Sequence, residues 1–154
     1  MKKALAATTV GILGAMGFCT SVATAPAADA SAKSRHHKRH HVARKAMNQA
    51  GDPYRYGSDG PGSFDCSGLT SFAYRAALGR HIGRTTSSQW NAGRRVWHRR
   101  NLAYGDLVFT SGHHVGMYVG HHKMVVSPHS GTHVQVRSLT GRHIDRIRRV
   151  LYKH

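Results

Sequence analysis

The spacing of apolar residues changes once along this chain, and that change limits the folds open to it. Apolar residues recur at helical spacing from Leu69 to Ala77, behind Asp65, a good N-cap residue, and Gly79 ends this predicted helix. Beyond about Ala103 the chain becomes a series of short β-rich segments separated by Gly, His and Pro: 106–110, 114–119, 123–126, 133–137 and 147–152. A helix followed by antiparallel strands predicts an α+β fold.

The first thirty residues have the layout of a secretory signal peptide. Lys2 and Lys3 precede an uncharged, mostly apolar run over 4–18, and three A-x-A patterns follow it. The run is short for a membrane span, which needs about 20 residues. We predict a signal peptide over 1–30, cleaved after Ala25, Ala27 or Ala30, with Ala30 favoured. The mature protein would be secreted, extracellular or cell-wall associated, and would have no transmembrane segment.

Residues 31–45 are basic and rich in histidine, with Val42 as their one large apolar side chain. This composition predicts a disordered or frayed helical lead-in ahead of a domain over 46–154. Two histidine pairs at i and i+4 spacing offer a metal site if the segment is helical: His36/His40 and His37/His41. No cysteine or carboxylate lies among them, so we predict no metal.

The charge balance is strongly basic and excludes several kinds of site. Lys and Arg number 23 against 6 acidic residues, giving a formal charge of +17, and every acid is an Asp. The chain therefore has too few carboxylate side chains for a metal site that needs a cluster of them. An anionic partner is expected, and the candidates are nucleic acid, an anionic membrane and an anionic wall polymer. The predicted export signal and the absence of a nucleic-acid motif favour the wall polymer, contacted through the basic segment.

Cys66 is the one cysteine that remains if Cys19 leaves with the signal peptide. It falls in the first turn of the predicted helix, where the dipole and free N–H groups favour a thiolate. Its own backbone N–H would point into the space beside the sulfur, as an oxyanion donor does. The alternative for such a residue is a buried, inert structural cysteine.

A thiol nucleophile needs a base, and His114 on a predicted strand is the candidate. The alternation places Val115, Met117 and Val119 on one face and His114 with Gly116 on the other. Gly116 would leave room beside the imidazole. His113 is expected on the opposite face, exposed to solvent.

Four blocks in this order resemble the NlpC/P60 family of cell-wall cysteine peptidases. The blocks are GDPYRYGSDGPGSFDCSGLTSFAY over 51–74, RTTSSQW over 84–90, GDLVF over 105–109 and HVGMYVG over 114–120. The resemblance implies a papain-like core, with an N-terminal helix that carries the cysteine and packs on a small antiparallel sheet. It also implies a secreted, monomeric, cofactor-free peptidoglycan endopeptidase. Such an enzyme typically cuts between D-glutamate and a diamino acid.

Carried over by position, the resemblance assigns roles to five residues. Cys66 would be the nucleophile and His114 the general base, with Tyr54 near the nucleophile and the oxyanion. Asp65 and Ser67 match positions that in relatives help to hold the free amine of a stem peptide. Helix capping is the alternative role for Asp65.

One position departs from the family pattern. Relatives carry a polar residue that orients the imidazole where this chain has Val126, which accepts no hydrogen bond. Ser127, His129 or a backbone carbonyl are the substitutes that the sequence offers. Loss of an orienting residue weakens such an enzyme without necessarily abolishing activity. The competing hypothesis is a non-catalytic, cationic wall-binding module that retains the fold.

Overall fold

The computed structural model describes residues 27–152, so most of the predicted signal peptide lies outside the described residues. The helices are α1 (Ala27–Met47), α2 (Cys66–Leu78), α3 (Thr86–Trp90) and a 3-10 turn (Arg99–Asn101). The strands are β1 (Arg94–Arg95), β2 (Leu107–Thr110), β3 (His114–Tyr118), β4 (Lys123–Val126), β5 (Gln135–Ser138) and β6 (Arg146–Arg149).

The strands form one antiparallel sheet in the order β1-β6-β2-β3-β4-β5. Val108 at the centre of β2 pairs with Gly116 on β3 and with Ile147 on β6. The predicted α+β class is confirmed, and four predicted strands match β2 to β5 within two residues, the usual uncertainty of element boundaries. The fifth, over 147–152, extends three residues beyond the end of β6. β1 was not predicted, because two exposed arginines carry no alternating pattern.

Helix α2 begins and ends at the signals that the sequence carries. The Asp65 side chain accepts the backbone N–H of Gly68, and Gly79 adopts a left-handed conformation that closes the helix. Leu69 and Ala73 are fully buried in the same core cluster as Val115 of β3. The Cys-bearing helix thus packs on the sheet as predicted, but it is the second helix of the structure and not the N-terminal one.

Of the two alternatives predicted for 31–45, disorder is wrong and a helix is present, because this segment lies within α1. Val42, Ala43 and Ala46 are fully buried, and the Nε of Arg39 donates to the Leu151 carbonyl at 3.0 Å. Its charged composition concealed the helix, since the contacts that stabilise it come from distant parts of the chain. The C-terminal part of α1 therefore packs into the main core with residues that follow it.

The two faces of the sheet have separate apolar clusters. Val115 and Met117 join the main core under the helices, whereas Tyr118, Met124 and Val126 belong to a second cluster. A Cβ on Gly116 would lie 2.9 Å from the Val125 carbonyl and 3.3 Å from Cβ of Val126. The room expected there beside His114 is therefore already filled. None of the helices within 27–152 is long and apolar enough to span a membrane.

Candidate active site

Cys66 stands at the first position of α2 and lines an open cleft of about 540 Å³. Tyr54 and His114 line the same cleft, so the structure brings these three predicted residues together. The thiol is half-buried, and its Sγ lies 3.7 Å from Oγ1 of Thr86 at the start of α3. The thiol therefore faces the cleft, which argues against an inert cysteine in the core.

Asp65 is the helix cap, and its carboxylate is fully engaged. Its Oδ1 accepts the Gly68 N–H at 2.6 Å, and its Oδ2 accepts the Gly57 N–H at 3.0 Å. The Nη1 and Nη2 atoms of Arg84 add two further bonds, at 3.0 and 2.8 Å. Burial alone would raise the pKa of Asp65, but the bonds from Arg84 and Gly68 outweigh it and hold that pKa below its ordinary value.

Ser67 completes this arrangement. Its hydroxyl donates to Oδ1 of Asp65 at 3.2 Å, and the Nη1 of Arg84 lies 3.3 Å from the same hydroxyl. Both residues expected to bind a substrate amine thus hydrogen-bond each other and Arg84. The capping role of Asp65 is present in the structure, and its negative charge is neutralised by Arg84.

Tyr54 approaches the thiol from the loop before α2. Its backbone N–H donates to the Thr132 carbonyl at 2.8 Å, and a bridge to Phe64 ties it to the residue that precedes the cap. Burial raises the pKa of the Tyr54 hydroxyl, and the nearby Cys66 and Asp65 raise it further. A protonated phenol beside the sulfur is a hydrogen-bond donor for negative charge formed there.

His114 opens β3 opposite Thr110 and is half-buried. Burial lowers the pKa of its imidazole, and the positive charges of Arg137, His129 and Arg142 lower it further. The ring is therefore neutral at neutral pH, the state that a general base requires. Over residues 27–152 its side chain makes no hydrogen bond to another protein group, so no protein acceptor fixes its tautomer in this conformation.

The two predicted substitutes for the orienting residue have other partners. Ser127 is fully buried and donates to the Phe64 carbonyl at 2.7 Å. His129 is exposed, and its Nδ1 lies 2.9 Å from the Ser130 carbonyl. Within the described chain neither hydrogen-bonds His114, although His129 is near enough to affect its pKa. Val126 is buried in the second apolar cluster, as an aliphatic side chain should be.

The loop before α3 belongs to the RTTSSQW block. There Arg84 resembles the family's substrate-side loop, with packing as the alternative, and Thr86 was not predicted to lie in the site. Arg84 neutralises Asp65, and Thr86 contacts the sulfur. A capping box between Thr85 and Ser88 fixes the start of α3, and the T-x-x-S spacing of these residues was the available signal. His113 is exposed as expected, but it lines the same cleft as His114.

Histidines elsewhere do not assemble into a metal centre. His36 and His40 on α1 approach within 3.2 Å between their Nε2 atoms, and His40 stacks on Tyr104. No group of three or more His, Cys, Asp or Glu side chains in the described part of the chain could hold a metal ion.

A cysteine at the start of a helix, packed on an antiparallel sheet with a histidine at the facing strand, is the arrangement of papain-like α+β domains. The NlpC/P60 family model matches residues 51–150, and the chain belongs to this family.

Relatives and solved structures agree with that assignment. Over 119 residues the chain is 40% identical to the murein DD-endopeptidase MepH of Escherichia coli, covering 70% of this chain and 44% of that protein. It is 37% identical over 121 residues to a probable endopeptidase of Corynebacterium glutamicum, covering 77% and 56%. The peptidoglycan hydrolase RipB of Mycobacterium tuberculosis superposes with a TM-score of 0.68 at 29% identity, covering 79% and 68%. The chain spans about half the length of the first two relatives.

Proposed function

We propose that this protein is a secreted cysteine endopeptidase of peptidoglycan that hydrolyses an amide bond of the stem peptides, between D-glutamate and the diamino acid. The observation that carries the proposal is the cleft where the Cys66 thiol, at the start of α2, meets Tyr54 and His114. The names of its relatives, which include murein and peptidoglycan endopeptidases, support the substrate class.

The proposed reaction has two steps. His114 takes the thiol proton, and Sγ of Cys66 attacks the scissile carbonyl carbon, forming a tetrahedral oxyanion. The backbone N–H of Cys66 and the Tyr54 hydroxyl stabilise that oxyanion, and His114 returns the proton to the departing amine. A water molecule, deprotonated by His114, then hydrolyses the thioester and regenerates the thiol.

The charge of the protein suits an anionic wall. Helix α1 presents exposed basic side chains at Lys33, Lys38 and Arg44, and we propose that it contacts anionic wall polymers. The proposed catalytic domain includes the buried end of α1 together with residues 46–154, and it acts as a monomer without a cofactor. The predicted signal peptide over 1–30 would direct it outside the cell.

A non-catalytic wall-binding module is the second candidate function. The observation in its favour is the His114 imidazole, which has no orienting hydrogen bond among the described residues. Val126, at the position of the family's orienting residue, is buried in the second apolar cluster. A base in an unfixed orientation is a weaker catalyst, although the thiol and the cleft are both in place.

Digestion of insoluble peptidoglycan separates these two candidates. The wild-type protein should co-sediment with peptidoglycan and release soluble fragments, whereas Cys66→Ala should co-sediment and release none. Arg80→Gln, an exposed residue outside the cleft, is the matched control and should behave as the wild type. Mass spectrometry of the new termini identifies the bond.

Three outcomes of the digestion would contradict part of the proposal. Fragment release that persists in Cys66→Ala would overturn the thiol mechanism. Co-sedimentation without release by the wild type, on peptidoglycans of different diamino acids, would favour the binding module. Release of fragments cut at the cross-link would retain the enzyme class and overturn the proposed D-glutamyl bond.

A further inference from the structure

A second cavity, of about 330 Å³, lies at the β1–β6 end of the sheet and shares no lining residue with the Cys66 cleft. Four arginines line it: Arg95 of β1, Arg99 of the 3-10 turn, Arg142 in the turn before β6, and Arg146 of β6. Asp145 and Trp97 also line it, and Trp97 is 72% exposed. We refer to this cavity, defined by these six residues, as the arginine groove. The other lining residues are Val96, His143, Ile144 and Ile147.

Among residues 27–152 the arginines of the arginine groove form no ion pair, although one carboxylate lies in its lining. Asp145, the one carboxylate among its lining residues, pairs with His143 at 3.2 Å and accepts the Gly112 N–H at 2.8 Å. The arginine–carboxylate ion pairs within residues 27–152 are Arg75–Asp59, Arg84–Asp65 and Arg149–Asp106. None of the groove arginines therefore has a carboxylate partner in the described structure.

Protein contacts hold the groove guanidinium groups in place. Arg99 donates to the Arg142 carbonyl at 3.2 Å, and Nε of Arg142 donates to the Ser138 carbonyl at 3.0 Å. Arg146 stacks over the Trp90 ring at 4.3 Å, and its buried Nε has no hydrogen-bond partner in the described structure. Arg95 stacks over Trp97 at 4.1 Å. Burial lowers the pKa of the neighbouring Arg148, and the charges of Arg146 and Arg95 lower it further, so like charges are crowded here. Crowding of this kind costs free energy that a bound anion would recover.

The chemistry of these side chains specifies the ligand. Guanidinium groups bind phosphate oxygens through paired N–H donors, and several of them around one cavity suit a chain of repeated negative charges. The exposed ring of Trp97 offers an apolar face for the C–H groups of a sugar or polyol unit. We propose that the arginine groove binds a polyol-phosphate or sugar-phosphate polymer of the cell wall, a site separate from both the catalytic cleft and α1.

Two other macromolecules are less suited to the arginine groove. Single-stranded nucleic acid is usually bound by successive aromatic platforms, whereas this groove has one exposed ring. A membrane surface requires exposed apolar side chains on a face that can lie flat against it, whereas this site is concave and lined mainly by charged groups. That the ligand is a cell-wall polymer rests on the proposed function. That the ligand is anionic rests on the residues of the groove alone.

The groove lies beside the catalytic cleft. The turn between β2 and β3 separates them: the Gly112 N–H bonds Asp145 in the groove, and His113 lines the cleft. A polymer bound in the groove would therefore hold the enzyme with its cleft next to the wall strand that carries the polymer.

Binding to a synthetic poly(glycerol phosphate) oligomer tests the proposal. Trp97 fluorescence reports occupancy of the groove, and Trp97→Phe removes that signal. The double variant Arg95→Gln/Arg146→Gln should weaken binding about tenfold and reduce its salt dependence, because two phosphate contacts are lost. Arg80→Gln/Lys123→Gln removes the same charge elsewhere and should change affinity less than about twofold.

Several results would overturn the proposal. Equal losses in the two double variants would mean that net charge alone attracts the polymer. Tighter binding of single-stranded DNA of matched phosphate number, or of phosphatidylglycerol vesicles, would assign the groove to another ligand. If inorganic phosphate bound as tightly as the oligomer, the groove would be a site for a single anion and not for a polymer. If Arg95→Gln/Arg146→Gln melts early, the exposed Arg95→Gln alone carries the test.

The proposed polymer site and the proposed catalytic site can be tested independently. Cys66→Ala should bind the oligomer as the wild type does, and Arg95→Gln/Arg146→Gln should still cleave soluble muropeptides that carry no polymer. Loss of muropeptide cleavage in the groove variant, with its fold intact, would contradict the separation of the two sites.

Discussion

Arg84 and Asp65 form the ion pair nearest to the thiol, and their charges set the electrostatics of the cleft mouth. Asp65 has a lowered pKa, so its interaction stabilises the fold above its unfolded pKa of about 3.9 and is lost as the pH falls through the folded value. The guanidinium is 36% exposed, which limits the contribution of the pair through solvent screening.

Arg84→Gln should lower the free energy of unfolding by about 1 kcal/mol at neutral pH. The deficit should shrink in acid, once Asp65 is protonated in both states. Arg75→Gln is the matched control, because the Arg75–Asp59 pair is exposed on both sides (39% and 37%) and should contribute less. Urea unfolding at several pH values measures both variants; an equal loss in the two would contradict the role of the cleft pair.

The lowered pKa of His114 predicts the position of the acid limb of the pH–rate profile. If His114 is the base, kcat/KM should fall in acid with a midpoint below the ordinary histidine value of about 6.5. Arg137→Gln removes a positive charge that faces the ring, so the pKa should rise and the limb should move to higher pH.

The pH profile of muropeptide hydrolysis tests this directly, with Arg80→Gln as a control that removes an exposed charge outside the cleft. A midpoint above about 6.5, or a limb that does not move in Arg137→Gln, would contradict the assignment of His114 as the titrating base.

At the scale of the elements, α2 must approach the preceding loop closely for its cap to form. A Cβ on Gly68 would lie 2.1 Å from the Ser58 carbonyl and 2.9 Å from Cα of Asp59, both of them backbone atoms. The same residue supplies the N–H that Asp65 accepts. Glycine is therefore required by a close backbone approach in the first turn, next to the thiol.

Gly68→Ala should lower the free energy of unfolding by about 1–3 kcal/mol, because the added methyl forces the loop and the helix apart. Muropeptide hydrolysis should fall as well, since Cys66 moves with the displaced turn. Thermal unfolding and the initial rate measure the two effects. If Gly68→Ala is as stable and as active as the wild type, the loop moves to accommodate the methyl group without a loss of stability, which contradicts this prediction.

The elements that could be predicted are those marked by residues close together in the sequence, such as cap residues or alternating apolar residues. Asp65 and Gly79 mark α2, and alternation marks β2 to β6, so both could be located without the structure. β1 could not, because it is formed by pairing with β6. α1 was predicted only in part, as a frayed helical lead-in and a short helix from residue 42, because contacts with Leu151 and Tyr104 stabilise it. The bonds from Arg84 to Asp65 and the closed space at Gly116 likewise depend on tertiary packing.

At the scale of the whole molecule, α1 is part of the domain. Val42 lies on the inner face of α1 and is fully buried, whereas the outer face of this helix is basic. Val42→Ala should cost about 2 kcal/mol through lost burial and an unfilled cavity. Val136→Ala is the same substitution at a site that is 43% exposed, and it should cost no more than about 0.5 kcal/mol.

Chemical denaturation of the two valine variants measures the difference. Equal stabilities would indicate that the N-terminal segment is a dispensable tail and that the domain starts after it, as the composition of 31–45 predicted.

The charge of +17 is spread over several surfaces, and Arg137 and Arg142 also act on His114. Basic side chains cover α1 and the arginine groove, whereas the cleft pairs its one arginine with Asp65. The positive charge thus suits attachment to an anionic wall, and the thiol suits hydrolysis of an amide within it.

Hydrolysis of a defined stem tripeptide, with D-glutamate joined to a diamino acid, tests the central claim most directly. The new amine of the diamino acid is quantified over time for the wild type and for Cys66→Ala. The account predicts release of that amine by the wild type and none above background by the variant. Equal release by both proteins would contradict the assignment of Cys66 as the nucleophile.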